Sequence, residues 1–243
     1  MSANQLTIIG AADVEAVLRG GEKRVLETVR KAYETHARGA SSLPHSSFLR
    51  FPDSDKDRII CLPAYLGDDY QLAGVKWIAS MPDNVSRGME RASAVVVLND
   101  RVTGHPRAFM EGSIISKQRT AASAALASKV LAAAEPDVIG FVGCGPINVS
   151  VAQFLASSWP GVRQFMAFDL DPDRSRAFGE RLCEHIPGAV CTTAASLEAL
   201  LSDCSMVSFG TTAIKPYVDN LDASPAGATI LHVSCLLYTS PSP

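Results

Sequence analysis

A lysine lies inside an apolar run, Gly74-Val75-Lys76-Trp77-Ile78-Ala79-Ser80. Lysine is rarely buried unless its ammonium is paired or used, and a desolvated lysine can move protons. Lys76 is therefore a candidate catalytic and substrate-binding residue. An edge position that lets the ammonium reach solvent accounts for it without chemistry. Three arginines join it: Arg50 ends SSFLR, Arg91 precedes ASAVVVLND, and Arg119 sits in KQRTAASAALA. An isolated arginine on such an Ala-rich helix is usually solvated. Yet all four cations fall near strand ends or near a change of pattern along the chain. A cleft there suits a small molecule with several carboxylates, because guanidinium forks grip carboxylate in bidentate fashion.

A second constellation is Gly143-Cys144-Gly145-Pro146-Ile147-Asn148, between an expected strand and an expected helix. The first glycine permits a tight turn. The second lets backbone approach a pyrophosphate resting on the positive end of the next helix. The third position normally holds Gly or Ala, so Asn148 is a departure. Asp169 ends the following strand, 24 residues after Gly145. A carboxylate there accepts ribose hydroxyls and repels a 2′-phosphate, which favours NAD over NADP. Asp169 can equally start an Asp169-Leu170-Asp171-Pro172 turn. Thr211 and Thr212 follow a later strand, where small hydroxyl residues can line a cofactor or simply turn the chain.

These residues need elements to hold them. Apolar periodicity predicts helix over 11–38, broken at Gly20-Gly21. Strands are expected at 47–51, 58–62, 71–79 and 93–98, the last ending in a turn over Asn99-Asp100 and Thr103-Gly104. An Ala-rich helix is expected over 116–134, stopped by Glu135-Pro136. Beyond it strand and helix alternate: strands at 138–142, 165–169, 189–193, 206–210 and 228–234, with helices between. That alternation signals α/β architecture, a doubly wound parallel sheet of Rossmann type, beside an α+β domain. The boundary is placed near 119, giving a substrate-binding domain over 1–118 and an NAD-binding domain over 119–234.

Composition narrows the class. The chain has 243 residues, 47% of them apolar, and a net charge of −3. It can bury a core and shows no basic face for nucleic acid. No run of about 18 uncharged apolar residues exists, so no membrane span is expected. The six cysteines form no C-x-x-C pair. No metal site is expected, and free thiols in a reducing cytoplasm are the simpler reading.

The stretch from Gly74 to Ala132 resembles the ornithine cyclodeaminase/μ-crystallin family. The lysine strand, the LND…TG-x-P turn, the EGS element and the RTAA helix occur in the family's order, and the G-x-G motif, Asp169 and GTTA follow. The resemblance covers roughly residues 10–234. LPAYLG, KWIASMPDN and ERASAVVVLND look most like its 2,3-diaminopropionate-forming branch, which serves siderophore and peptide-antibiotic pathways. It implies NAD-dependent oxidation of N-(2-amino-2-carboxyethyl)-L-glutamate to 2-oxoglutarate and L-2,3-diaminopropionate. A PLP-dependent synthase would supply the substrate. It also implies a homodimer joined through the first domain's sheet, which makes 1–118 the dimerisation domain as well. By matching position, Lys76, Arg119, Arg50 and Arg91 contact substrate. Ser93, Arg119, Thr120, Gly143, Gly145, Pro146, Ile147, Asp169, Thr211 and Thr212 contact the cofactor. Other enzymes of the family, cyclodeaminases and alanine or ketimine reductases, remain alternatives, as does a crystallin-like protein that binds nucleotide without turnover. The family continues past Ser234 with more sheet and a helix returning to the first domain, whereas here Cys235–Pro243 follow. Those nine residues are expected to be a non-native tail. The cyclodeaminase aspartate would lie past this point, so no residue inherits its role.

Overall fold

The computed structural model describes residues 6–213 and 215–233. The expected tail at 235–243 lies outside the described residues. The chain divides into two compact units, one made of residues up to Gly21 with Glu27–Ser116, the other of Glu22–Leu26 with the chain from Lys117 onward.

The first unit is built on a seven-stranded sheet. Its strands are β1 (Thr7–Ile9), β2 (Ser41–Ser42), β3 (Ser47–Phe51), β4 (Ser54–Leu66), β5 (Leu72–Ser80), β6 (Ala92–Asn99) and β7 (Pro106–Glu111). The order is β1-β7-β6-β5-β4-β2, with β3 also paired to β4. All ladders are antiparallel except β1 with β7. The expected helix break is present: α1 (Ala11–Leu18) and α2 (Glu22–Ala37) flank Gly20, whose φ of 62° favours glycine. The expected turn after β6 is held by Asp100, whose Oδ1 accepts the N–H groups of Val102 (3.0 Å) and Thr103 (2.8 Å). β4 runs well past the anticipated 58–62, because it pairs on both sides. β1, β2 and β7 were not anticipated. β7 begins at Pro106, where proline's missing N–H costs nothing, and this masks a short strand.

The second unit holds the expected parallel sheet. β8 (Val138–Val142), α4 (Pro146–Ser158), β9 (Gln164–Phe168), α5 (Pro172–His185), β10 (Val190–Thr193), α6 (Leu197–Asp203), β11 (Met206–Phe209) and β12 (Thr229–His232) follow in turn. The order is β10-β9-β8-β11-β12, all parallel. α3 (Ser113–Leu131) leads in from the first unit, starting and ending three residues before the expected helix. A parallel sheet covered on both faces reads as continuous apolar runs, which is why VIGFV was legible. Phe141, Phe154, Phe165, Phe178 and Phe209 are fully buried, each such burial contributing roughly 1.5–3 kcal/mol. At Gly140 an added Cβ would lie 2.7 Å from Leu200 Cδ2, so glycine there lets α6 pack close to β8. Caps fix the helix starts: Asp171 Oδ1 accepts from Asp173 N–H (3.0 Å), and Ser196 Oγ from Ala199 N–H (3.1 Å).

Candidate functional site

In the first unit the register decides which side chains share a face. Lys76 stands opposite Leu62 on β4 and Val96 on β6. Arg50 stands opposite Arg58, and Arg58 opposite Ser80. Alternation along each strand puts Lys76, Arg50 and Arg58 on one face. Ser93 pairs with Ala79, three residues from Lys76, so it stands on the opposite face. The register therefore does not bring Ser93 to Lys76. Arg91 precedes β6, and its carbonyl accepts the Met81 N–H (2.8 Å).

The EGS element positions Lys76. Glu111 ends β7 and accepts the N–H groups that open α3, including that of Ile114 (2.9 Å). Ser113 Oγ accepts the Ala94 N–H (2.8 Å), which ties the helix to β6. At the end of that first turn, Ser116 Oγ accepts from the half-buried Lys76 Nζ (3.2 Å). Lys76 is thus paired on an interior strand of the sheet rather than sent to solvent at an edge. Arg119 follows on α3, exposed, with its carbonyl accepting from Ser123 Oγ (2.9 Å); Thr120 is half-buried.

In the second unit β8 runs to β9 and β10 on one side, while β11 and β12 lie on the other. The order therefore reverses between β8 and β11, and ligands in such sheets sit beyond the carboxyl ends at that reversal. Both candidate cofactor loops are there. Gly143 has φ of 86°, and an added Cβ would lie 2.8 Å from the Gly210 carbonyl oxygen and 2.9 Å from Thr211 Cγ2. Glycine is required twice over, by conformation and by contact. Gly145 caps α4, Pro146 occupies the first turn, and an added Cβ at Gly145 would meet nothing. Ile147 is exposed beside them. Backbone at Gly145 is thus open to a ligand at the helix N-terminus.

Asp169 serves the loop itself. Its Oδ2 accepts the Cys144 N–H (2.8 Å) and lies 3.6 Å from Arg174 Nε, while its Oδ1 accepts the Asp171 N–H (3.2 Å). The turn reading of Asp169 and an orienting role toward the glycine loop therefore coexist. Arg181 donates to the Cys144 carbonyl from α5 (3.1 Å). Burial pushes the Cys144 thiol up to about 11, so it stays neutral near pH 7. Thr211 Oγ1 donates to the Tyr217 hydroxyl (3.0 Å), and Thr212 is exposed.

Asn148, read from sequence as a weak point of the motif, is fully buried and strengthens it. Its Nδ2 donates to the carbonyls of Gly143 (2.7 Å) and Val142 (3.1 Å), and reaches that of Ser208 at 3.4 Å. Its Oδ1 accepts from Ser208 Oγ (2.8 Å). An added Cβ at Gly210 would lie 2.8 Å from this amide. Sequence missed Asn148, Ser208, Arg174 and Arg181. The G-x-G spacing gives no signal for Ser208 or Arg181, which come from distant parts of the chain. Among the described residues no group of three or more His, Cys, Asp or Glu could hold a metal ion.

Residues 7–235 match the ornithine cyclodeaminase/mu-crystallin family. The chain belongs to that family. One relative, the N-((2S)-2-amino-2-carboxyethyl)-L-glutamate dehydrogenase of Staphylococcus aureus, is 28% identical over 236 residues, 96% of this chain and 70% of its own length. An archaeal alanine dehydrogenase dimer with bound NAD superposes with a TM-score of 0.82 at 27% identity, over 93% of this chain and 66% of that one. The Thermococcus litoralis Δ1-pyrroline-2-carboxylate reductase, in complex with NADH and L-proline, gives 0.77 at 26% identity, over 87% and 64%. The chain thus spans about two thirds of the length of these proteins.

Proposed function

We propose that this chain carries the substrate and cofactor residues of an NAD-dependent oxidoreductase acting on a CH–NH bond. Its substrate is N-(2-amino-2-carboxyethyl)-L-glutamate. The observation that carries this reading is the similarity to the Staphylococcus aureus dehydrogenase across 96% of the chain. The geometry supports it: Lys76 and Arg50 share a sheet face suited to carboxylates, and two glycine-bearing loops meet at the reversal of the parallel sheet.

NAD, when bound, would supply the two-electron acceptor, so that the substrate, NAD and water would give 2-oxoglutarate, L-2,3-diaminopropionate, NADH and one proton. Gly143, Gly145, Pro146 and Ile147 would receive the pyrophosphate at the start of α4, and Asp169 would orient the ribose end. Thr211 and Thr212 would line the same edge, with Arg119 and Thr120 toward the cofactor from α3. Lys76, Arg119, Arg50 and Arg91 would hold substrate carboxylates. Positioning the reacting carbon is their main task, since the cofactor carries the chemistry. Lys76 would also serve proton transfer as the C–N bond is oxidised and hydrolysed.

In this reading the protein works in the cytoplasm as a homodimer. It follows a PLP-dependent synthase, in a pathway toward a siderophore or peptide natural product. Alanine dehydrogenation is the second reading, favoured by the likeness to the archaeal enzyme. The test is to incubate the protein with NAD and each amine, follow NADH absorbance, and identify products. Diaminopropionate formed with stoichiometric NADH is expected. NADH from alanine alone would favour the second reading.

A further inference from the structure

One row of side chains crosses β3, β4 and β5: Arg50 opposite Arg58, and Arg58 opposite Ser80. Like charges directly opposite each other destabilise a sheet. Among the described residues neither guanidinium has an ion-pair partner; Arg50 lies only over the Phe48 ring, 5.7 Å from its centroid. Ser80 is 6% exposed, and its Oγ has no hydrogen-bond partner. Arg50 is exposed and Arg58 half-buried, so two like charges stand side by side, open to solvent and without a counter-ion, where an anion would bridge them.

We propose that Arg50 and Arg58 together bind a second substrate carboxylate, making Arg58 a selectivity residue for substrates with more than one. The inference deepens the proposed function and rests on it for the identity of the substrate. Lys76 lies on the same face, opposite Leu62, four residues along β4 from Arg58. That separation is about 13 Å at about 3.3 Å per residue. Lysine and arginine side chains are long enough to narrow that gap, so one extended polycarboxylate could touch both ends. A small monocarboxylate held at Lys76 cannot reach Arg58. Arg58 escapes motif reading because nothing near it is distinctive; only the register reveals it.

The test uses the full 243-residue chain with 2-oxoglutarate and pyruvate as calorimetric probes, beside turnover of the tricarboxylate amine with NAD. The unaltered protein should bind 2-oxoglutarate more tightly than pyruvate. Arg58→Gln should raise the 2-oxoglutarate Kd roughly tenfold, as expected for a lost charge-assisted pair, and leave pyruvate within about twofold. Arg58→Lys should recover part of the loss. The ligand-free Tm of Arg58→Gln should hold or rise, because a like-charge pair has been removed; a merely structural arginine would lower it. Equal loss for both probes, no loss for 2-oxoglutarate, or no binding of 2-oxoglutarate to the unaltered protein overturns the inference. If the amine is not turned over but 2-oxoglutarate binding still depends on Arg58, the proposed reaction fails and this inference stands.

Discussion

Lys76 is held from the first turn of α3 by Ser116, and its neighbours along β5 are apolar. Replacing it should remove chemistry rather than structure. Lys76→Ala is expected to lower kcat/KM by about 10²-fold or more while urea unfolding stays cooperative. Arg119→Ala should do the same, because α3 keeps its backbone and its buried alanines. Near-normal NADH production by either variant removes that residue from the mechanism. Asp169 gives a separate test of the cofactor edge. It already binds the Cys144 N–H and stands 3.6 Å from Arg174. Asp169→Ala should weaken NADH binding roughly tenfold, about the loss of one strong hydrogen bond. It should weaken NADPH less, since repulsion of a 2′-phosphate disappears and Arg174 is released toward it. Fluorescence titration with both nucleotides reads this, and an unchanged NADH/NADPH ratio would remove Asp169 from cofactor selection.

At the scale of elements, the loop after β8 and the loop after β11 behave as one piece because Asn148 joins them. Its amide is the donor for carbonyls at the ends of both β8 and β11, so charge matters more than volume. Asn148→Asp keeps the shape, removes the donors and sets a carboxylate among carbonyl oxygens. It should cost about 3 kcal/mol, against about 2 kcal/mol for Asn148→Ala, as urea midpoints would show. Asn148→Asp proving the milder change would mean that packing, not donation, holds the loops. This junction also marks the limit of sequence reading. β8, α4, β9 and α5 were legible because each carries a local signal, as in the apolar run VIGFV and the Asp171 cap. The role of Asn148 was not, since it depends on Ser208 and Gly210, 60 and 62 residues away. The short strands β1, β2 and β7 escaped for a related reason. They are too brief for a period, and their pairing partners define them. Lys76, by contrast, stood out because a charge in an apolar run needs a partner, although the partner Ser116 became visible only in the fold.

At the scale of the molecule, the sheet of the first unit has a second face. Leu49, Trp77 and Phe109 stand on the side opposite Lys76 and are 47%, 42% and 39% exposed. Large apolar side chains clustered on one open sheet face call for a covering surface, and a second copy of this chain is the partner proposed. Light scattering should give twice the 25.8 kDa chain mass, and Trp77→Asp should shift it toward monomer. A monomer mass for the unaltered chain would exclude this. Stability should also carry an alkaline limit set by two buried thiols, Cys144 and Cys204, and the half-buried Cys191. Burial pushes Cys144 up to about 11 and Cys191 and Cys204 up to about 12, from an ordinary value of 9.0. Above about pH 9 the unfolded chain releases these protons while the folded chain retains them. The unfolded state then binds fewer protons, so stability falls as pH rises through that window. Urea midpoints should be level from pH 7.5 to 8.5 and decline from pH 9 to 10.5. Cys204→Ala should start lower, because a buried sulfur leaves the core, yet decline less steeply. Parallel declines in the two proteins would show that other groups set the alkaline limit.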